Sequence, residues 1–232
     1  MRGLFITGTD TGVGKTYVAG LIARQLVATG RNVGVYKPVA SGCRVEDGEV
    51  VADDAVALWE AAGFPGKLEQ VCPQRFLAPL APHRAAAVEG KHVDPRLVRE
   101  GLEAWRGQCD VVLVEGAGGL MSPLSDEDYN ADLALDFGFP LVVVAANRLG
   151  TINATLQTLI TAAAYGDGLP VAGVVLCQTE PPREDASVES NLEELTERCG
   201  PPVLAAVGWR GGFDREVDWW QVSGQGTEAR GL

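Results

Sequence analysis

Short apolar runs recur along the chain at Leu4–Ile6, Asn32–Tyr36, Val111–Val114, Leu141–Ala145, Val171–Leu176 and Val203–Val207. Most are continuously apolar and rich in β-branched residues, without the apolar–polar alternation of a half-exposed strand, so they predict strands covered on both faces. Between them lie stretches with helical spacing: Thr16–Ala28, Asp54–Ala62, Pro95–Trp105, Ala131–Phe137, Asn153–Tyr165 and Ser187–Cys199. Pro95 and Asn153 stand where helix starts are expected. Strands alternating with helices predict an α/β fold, a parallel sheet covered by helices. The length suits one domain over residues 1–232. Pro65–His92, proline-rich and poor in periodicity, reads as a long excursion, and Gly211–Leu232 as a loosely held tail.

In a parallel sheet, ligands bind beyond the carboxyl ends of the strands. The polar and glycine-rich segments fall at those ends: Gly8–Thr16, Lys37–Gly42, Glu115–Gly119, Asn147–Asn153 and Cys177–Pro182. The first follows a strand and opens a helix. Its backbone N–H groups, the helix terminus, Lys15 and the Thr16 hydroxyl offer a polyphosphate donors, a cation and a metal ligand, so the chain is expected to bind a nucleoside triphosphate. Five residues separate Gly8 from Gly14, one more than the common phosphate loop has.

Lys37-Pro38-Val39-Ala40-Ser41-Gly42 brings a second ammonium and a hydroxyl to the same rim, which suits charge developing on transferring phosphoryl and carboxyl groups. Glu115 emerges at a strand end, where a carboxylate can meet a nucleotide-bound magnesium ion. Asp54 reads equally well as a second metal carboxylate or as a helix-start acid favoured by the dipole. At Gly150-Thr151-Ile152-Asn153 either free N–H groups hold a substrate carboxylate or Asn153 caps the helix.

Composition removes other classes. With 31 acidic against 19 basic residues and a net charge of −12, the chain offers no surface suited to nucleic acid. Its five cysteines show neither a C-x-x-C pair nor metal-ligand spacing, which fits a reducing cytoplasm. The apolar run before the glycine-rich loop is too short for a signal peptide or a membrane span. Ser41 and Ser125 lack the turn of a hydrolase nucleophile.

Four stretches together resemble the dethiobiotin synthetases: Gly8–Thr16 with its longer loop, Lys37–Gly42, Val114–Gly119 and Leu149–Asn153, in matching order and spacing over residues 3–210. The resemblance implies a doubly wound, mostly parallel P-loop NTPase fold with helices on both faces. It also implies a homodimer with shared active sites that closes a cyclic urea on 7,8-diaminononanoate from CO2 and ATP. By the same resemblance, Thr9, Asp10, Thr11, Gly12, Val13, Gly14, Lys15, Thr16, Glu115, Gly118 and Cys177 bind nucleotide, and Thr16, Asp54 and Glu115 hold Mg2+. Lys15 and Lys37 stabilise the carbamate and its phosphorylated form. Thr11, Lys37 and Ser41 line the substrate site, and Gly150, Thr151, Ile152 and Asn153 hold the substrate carboxylate from the neighbouring subunit. Two departures stand out: Gly12, where some members are acidic, and Cys177, where an asparagine often meets adenine. Two rival readings are a nucleotide-switched partitioning or positioning ATPase and a cobalamin-type amidoligase. The first usually carries an extra lysine where Thr9 and Asp10 stand, and the second needs room for a glutaminase domain.

Overall fold

A computed structural model describes residues 1–181 and 185–224. Its strands are β1 (Arg2–Gly8), β2 (Val33–Tyr36), β3 (Val39–Ala40), β4 (Arg44–Glu46), β5 (Glu49–Val51), β6 (Gln74–Arg75), β7 (Val111–Glu115), β8 (Leu141–Ala146), β9 (Val171–Cys177) and β10 (Val203–Val207). The helices are α1 (Lys15–Ala28), α2 (Asp53–Ala61), α3 (Leu68–Val71), α4 (Pro82–Val88), α5 (Pro95–Glu100), α6 (Asn130–Phe137), α7 (Thr151–Ala164), α8 (Ser187–Arg198) and α9 (Trp219–Val222), with a 3-10 turn at Gly101–Trp105.

Six strands form one sheet in the order β10-β9-β8-β1-β7-β2, and every pairing in it is parallel. Every residue of β7 and β8 is buried. Because successive side chains point to opposite faces, burial without alternation means that both faces are covered, as the apolar runs predicted. Phe5 pairs with Val114 on one side and Leu141 on the other, which fixes β1 at the centre. The chain passes from β1 outward to β2, returns to β7, and then crosses β1 to reach β8. The strand order therefore reverses beside β1, and the carboxyl ends of β1 and its neighbours open a crevice there. This is an α/β fold of the P-loop NTPase type.

The structure adjusts several sequence expectations. Pro95–Trp105 is not one helix: Asp94 caps α5 by accepting from the N–H groups of Arg96 and Leu97, and the run then tightens into the 3-10 turn. The excursion 65–92 contains α3, β6 and α4, with Ala81 and Pro82 opening α4. The tail reading fails as far as Gly224. Trp219 is 2% exposed, its indole N–H donates to Gln25 Oε1 at 2.8 Å, and its ring lies 5.2 Å from that of Phe213. Trp220 lies beneath the guanidinium groups of Arg2 and Arg31. These aromatics anchor the segment to α1 and β1, and the remainder of the tail, 225–232, lies outside the described residues, as does Pro182 at the end of the fifth rim segment.

Candidate active site

The loop between β1 and α1 is set by two glycines in left-handed conformations, Gly12 at φ 73 and Gly14 at φ 96, the latter serving as N-cap of α1. A side chain at Gly14 would meet strain and contact together, since its Cβ would fall 2.6 Å from Cys177 Sγ. The loop is tied to the sheet by the Thr9 N–H donating to the Val144 carbonyl at 3.0 Å. Asp10 Oδ1 accepts from the Thr11 N–H at 2.7 Å, and the Asp10 carbonyl accepts from Lys15 Nζ at 2.9 Å. Val13 is buried in the core beneath the loop. Burial pushes the Lys15 ammonium down to about 8, with Glu115 and Asp54 opposing the shift and Lys37 adding to it.

The end of β7 holds the other pole of the site. Glu115 is 1% exposed and Lys37, just beyond β2, is 3% exposed. Lys37 Nζ donates to Glu115 Oε1 and, at 2.9 Å, to Asp54 Oδ2. Thr16 Oγ1 also donates to Glu115 Oε1, at 2.9 Å. Burial opposes the charged form of Lys37, but Glu115 and Asp54 outweigh it and hold the ammonium above its ordinary range. Lys37 in turn draws the Asp54 carboxyl below its usual value, while burial pushes that of Glu115 up. Asp54 is therefore not only a helix-start acid: its side chain reaches across to the β2 and β7 ends.

The second oxygen of Glu115, Oε2, is buried and has no hydrogen-bond partner. An unpartnered carboxylate oxygen is costly unless a ligand meets it. Among the described residues there is no cluster of three or more His, Cys, Asp or Glu side chains suited to a metal. A cation here would rely on Glu115, Asp54, the Thr16 hydroxyl and oxygens brought by a ligand. That oxygen set fits magnesium, which keeps few protein ligands and takes the rest from phosphates and water.

These groups line one cavity of about 950 Å³, together with Thr11, Gly12, Gly14, Ser41, Gly118 and Cys177. Four of the five rim segments therefore converge. The segment Asn147–Asn153 does not reach this cavity within one chain: Gly150, Thr151, Ile152 and Asn153 open α7 on the same sheet edge but are absent from its lining. Gly150, at φ 93, is the N-cap, so Asn153 lies inside the first turn and the capping reading for it is withdrawn. Asn147 in the same segment accepts from Asn191 Nδ2 at 2.9 Å and donates to the Val188 carbonyl, a structural use.

Three contributions escaped the sequence reading. Asn130 is fully buried, and its Nδ2 donates to the carbonyls of Ala117, Gly119 and Ser122 while Oδ1 accepts from the Ala117 N–H, which fixes the loop after Glu115. Pro79–Pro82 forms a wall of the cavity. Trp209 and Arg210 form another, held by Tyr17 Oη donating to the Gly211 carbonyl at 2.8 Å. Their signal was available: Gly208-Trp209-Arg210-Gly211-Gly212 follows the last strand, at the same edge as the other rim segments.

A family model described as an AAA domain matches residues 2–217. The chain is 45% identical over 214 residues to the ATP-dependent dethiobiotin synthetase BioD of Rhodopirellula baltica, across 88% of this chain and 82% of that one. It is 44% identical over 209 residues to the protein of the same description from Anaeromyxobacter dehalogenans, across 90% and 91%. Among solved structures, the MinC:MinD cell division protein complex of Aquifex aeolicus gives a TM-score of 0.51 at 13% identity over 97% of this chain and 86% of that one, a likeness of fold alone. No helix among the described residues is long and apolar enough to cross a membrane. With 45% and 44% identity across 88% and 90% of its length, the chain belongs to the dethiobiotin synthetase family.

Proposed function

We propose that this protein performs the reaction of its family, the ATP-dependent closure of a cyclic urea on 7,8-diaminononanoate with CO2, giving dethiobiotin in biotin biosynthesis. The observation that carries the reading is the meeting of Lys15, Thr16, Lys37, Asp54 and Glu115 in one cavity, two ammonium groups facing two carboxylates with one buried oxygen left unpartnered. Such a constellation supplies charge and position and holds no acyl nucleophile, which suits phosphoryl transfer. The partitioning-ATPase and amidoligase readings have no observation in their favour.

One amine of the substrate attacks CO2 and loses a proton, giving a carbamate. A carbamate oxygen then attacks the γ-phosphorus and ADP leaves. The second amine attacks the carbonyl carbon, loses its proton and expels phosphate, which closes the ring. Residues 9–16 cradle the triphosphate with backbone N–H groups, and Lys15 offsets its charge. Lys37 and Ser41 face the carbamate, and Thr11 the diamine. Thr16, Asp54 and Glu115 would hold Mg2+, which neutralises phosphate charge when bound. Gly118 and Cys177 flank the nucleotide, and Trp209 and Arg210 line its cavity.

A homodimer with shared sites is part of the proposal. Its support is that Gly150–Asn153 sits outside its own chain's cavity, with apolar side chains left in solvent just before it and further along α7, Leu149 at 82% and Ile160 at 68% exposed. A cytoplasmic location accords with five unpaired cysteines. The test is phosphate release from ATP with the diamine and bicarbonate supplied separately and together, with the product identified by mass. Release should require both, and Lys15→Ala or Lys37→Ala should lower turnover by about 10²–10³ through loss of one charge facing the transition state. Phosphate release indifferent to the diamine would end the reading.

A further inference from the structure

We infer that Lys37 is an internal stand-in for the divalent cation: its ammonium neutralises Asp54 and Glu115 in the metal-free protein, and metal binding displaces it into the cavity. The inference deepens the proposed function and rests on the same site. Lys37 Nζ lies 2.9 Å from Asp54 Oδ2 and is hydrogen-bonded to Glu115 Oε1, so it sits on an oxygen of each carboxylate assigned to the metal. Magnesium binds oxygen at about 2.0–2.1 Å, and a dication taking those oxygens cannot share them with an ammonium held in contact. For those two oxygens the ammonium and the metal compete.

Burial makes the exchange necessary as well as possible. Glu115 is 1% exposed, and a buried carboxylate without a counter-charge carries a heavy desolvation penalty. Lys37 covers that penalty until the metal arrives. It does so incompletely, because Glu115 Oε2 remains unpartnered and gives an entering cation its first foothold. Lys37 also has somewhere to go: its flexible four-carbon stem borders the 950 Å³ cavity that also takes in Ser41 and Thr11. Lys15 differs in kind, since its ammonium is bound to the Asp10 carbonyl and to neither carboxylate. The exchange would make the substrate-facing cation available only once the metal is in place, so the two steps are coupled through one side chain.

Two measurements on nucleotide-free protein test this with Mn2+ as the probe. By electron paramagnetic resonance, Lys37→Gln should bind Mn2+ about tenfold more tightly than wild type, because the competing ammonium is gone, whereas Lys15→Gln should change affinity by less than about threefold. In wild type, saturating Mn2+ should raise acetylation of Lys37 by an N-hydroxysuccinimide ester severalfold, because an ammonium released from two carboxylates loses its proton more readily and reaches the reagent. With only four lysines in the chain, Lys15, Lys37, Lys67 and Lys91, mass spectrometry can follow each separately. Equal tightening in both variants would reduce the effect to general electrostatics and overturn the exchange. Unchanged Lys37 acetylation would also overturn it, and that measurement stands alone if Lys37→Gln does not fold. Neither experiment uses ATP or diamine, so the exchange and the proposed reaction can fail independently.

Discussion

Gly14 of the phosphate loop lies directly against Cys177 at the end of β9, so that a Cβ on the glycine would stand 2.6 Å from the sulfur and 3.2 Å from Cys177 Cβ. Gly14→Ala should therefore weaken nucleotide binding severely, through the clash and through the left-handed φ of 96. Adding Cys177→Ala should restore part of the affinity, since it removes the sulfur but leaves the close Cβ and the backbone strain. Titration with a fluorescent triphosphate analogue checks both; full restoration would show that the backbone conformation carries no cost.

The same cysteine bears on base selectivity. Burial pushes its thiol up to about 11, so at neutral pH it would offer a base only an uncharged, weakly hydrogen-bonding group. Turnover with ATP, CTP and GTP should fall within about tenfold of one another, because a weak partner gives little discrimination. A strong preference for ATP in steady-state kinetics would place base reading on backbone groups.

Lys15 should leave a mark in pH dependence. With its pKa at about 8, half of the free protein carries a neutral Lys15 at pH 8, and triphosphate binding there should take up about half a proton. Affinity should fall as pH rises above 8. Calorimetry in buffers of different ionisation enthalpy measures the uptake, which Lys15→Arg should abolish because arginine stays charged.

The same shift predicts a stability trade. Between pH 8 and 10.5 the unfolded chain holds the Lys15 proton and the folded chain does not, so the contribution of Lys15 to stability rises with pH across that window. At neutral pH, Lys15→Met should stabilise the ligand-free protein by up to about 3 kcal/mol while abolishing turnover, and its advantage should shrink as pH climbs from 8 to 10.5. Denaturant melts at several pH values would reveal a pH-independent difference if burial were not the cause.

Shared sites predict complementation. Asn153→Glu suits the first turn of α7 but sets a negative charge where the substrate carboxylate would bind. Alone, it and Lys15→Ala should each be nearly inactive. Mixed with random pairing, half the dimers would hold one intact site, so activity should recover to about a quarter of wild type by two-fold symmetry. Subunit exchange confirmed by differently tagged chains, without recovery, would place each site within a single subunit.

The sequence by itself determined the sheet and its working edge. Continuous apolar runs specify doubly covered strands because burial on two faces disfavours polar positions, and β1, β2, β7, β8, β9 and β10 appear within two residues of where the runs fall. The phosphate loop was legible because its chemistry lies in consecutive residues. Three things needed tertiary structure. From the local pattern Asp54 stayed open between a metal carboxylate, as the resemblance implies, and a helix-start acid, and only the fold shows α2 carrying it against Lys37, a residue 17 positions away. Asn130 and Trp219 serve through partners distant in sequence, and no local pattern separates a buried, fully bonded asparagine or an anchoring tryptophan from an exposed one. The ion pairing of Lys37 with Glu115 bridges 78 positions, because parallel β2 and β7 end side by side. Periodicity reports which face of an element is buried, while contacts between elements depend on how those faces meet, and only the folded chain decides that.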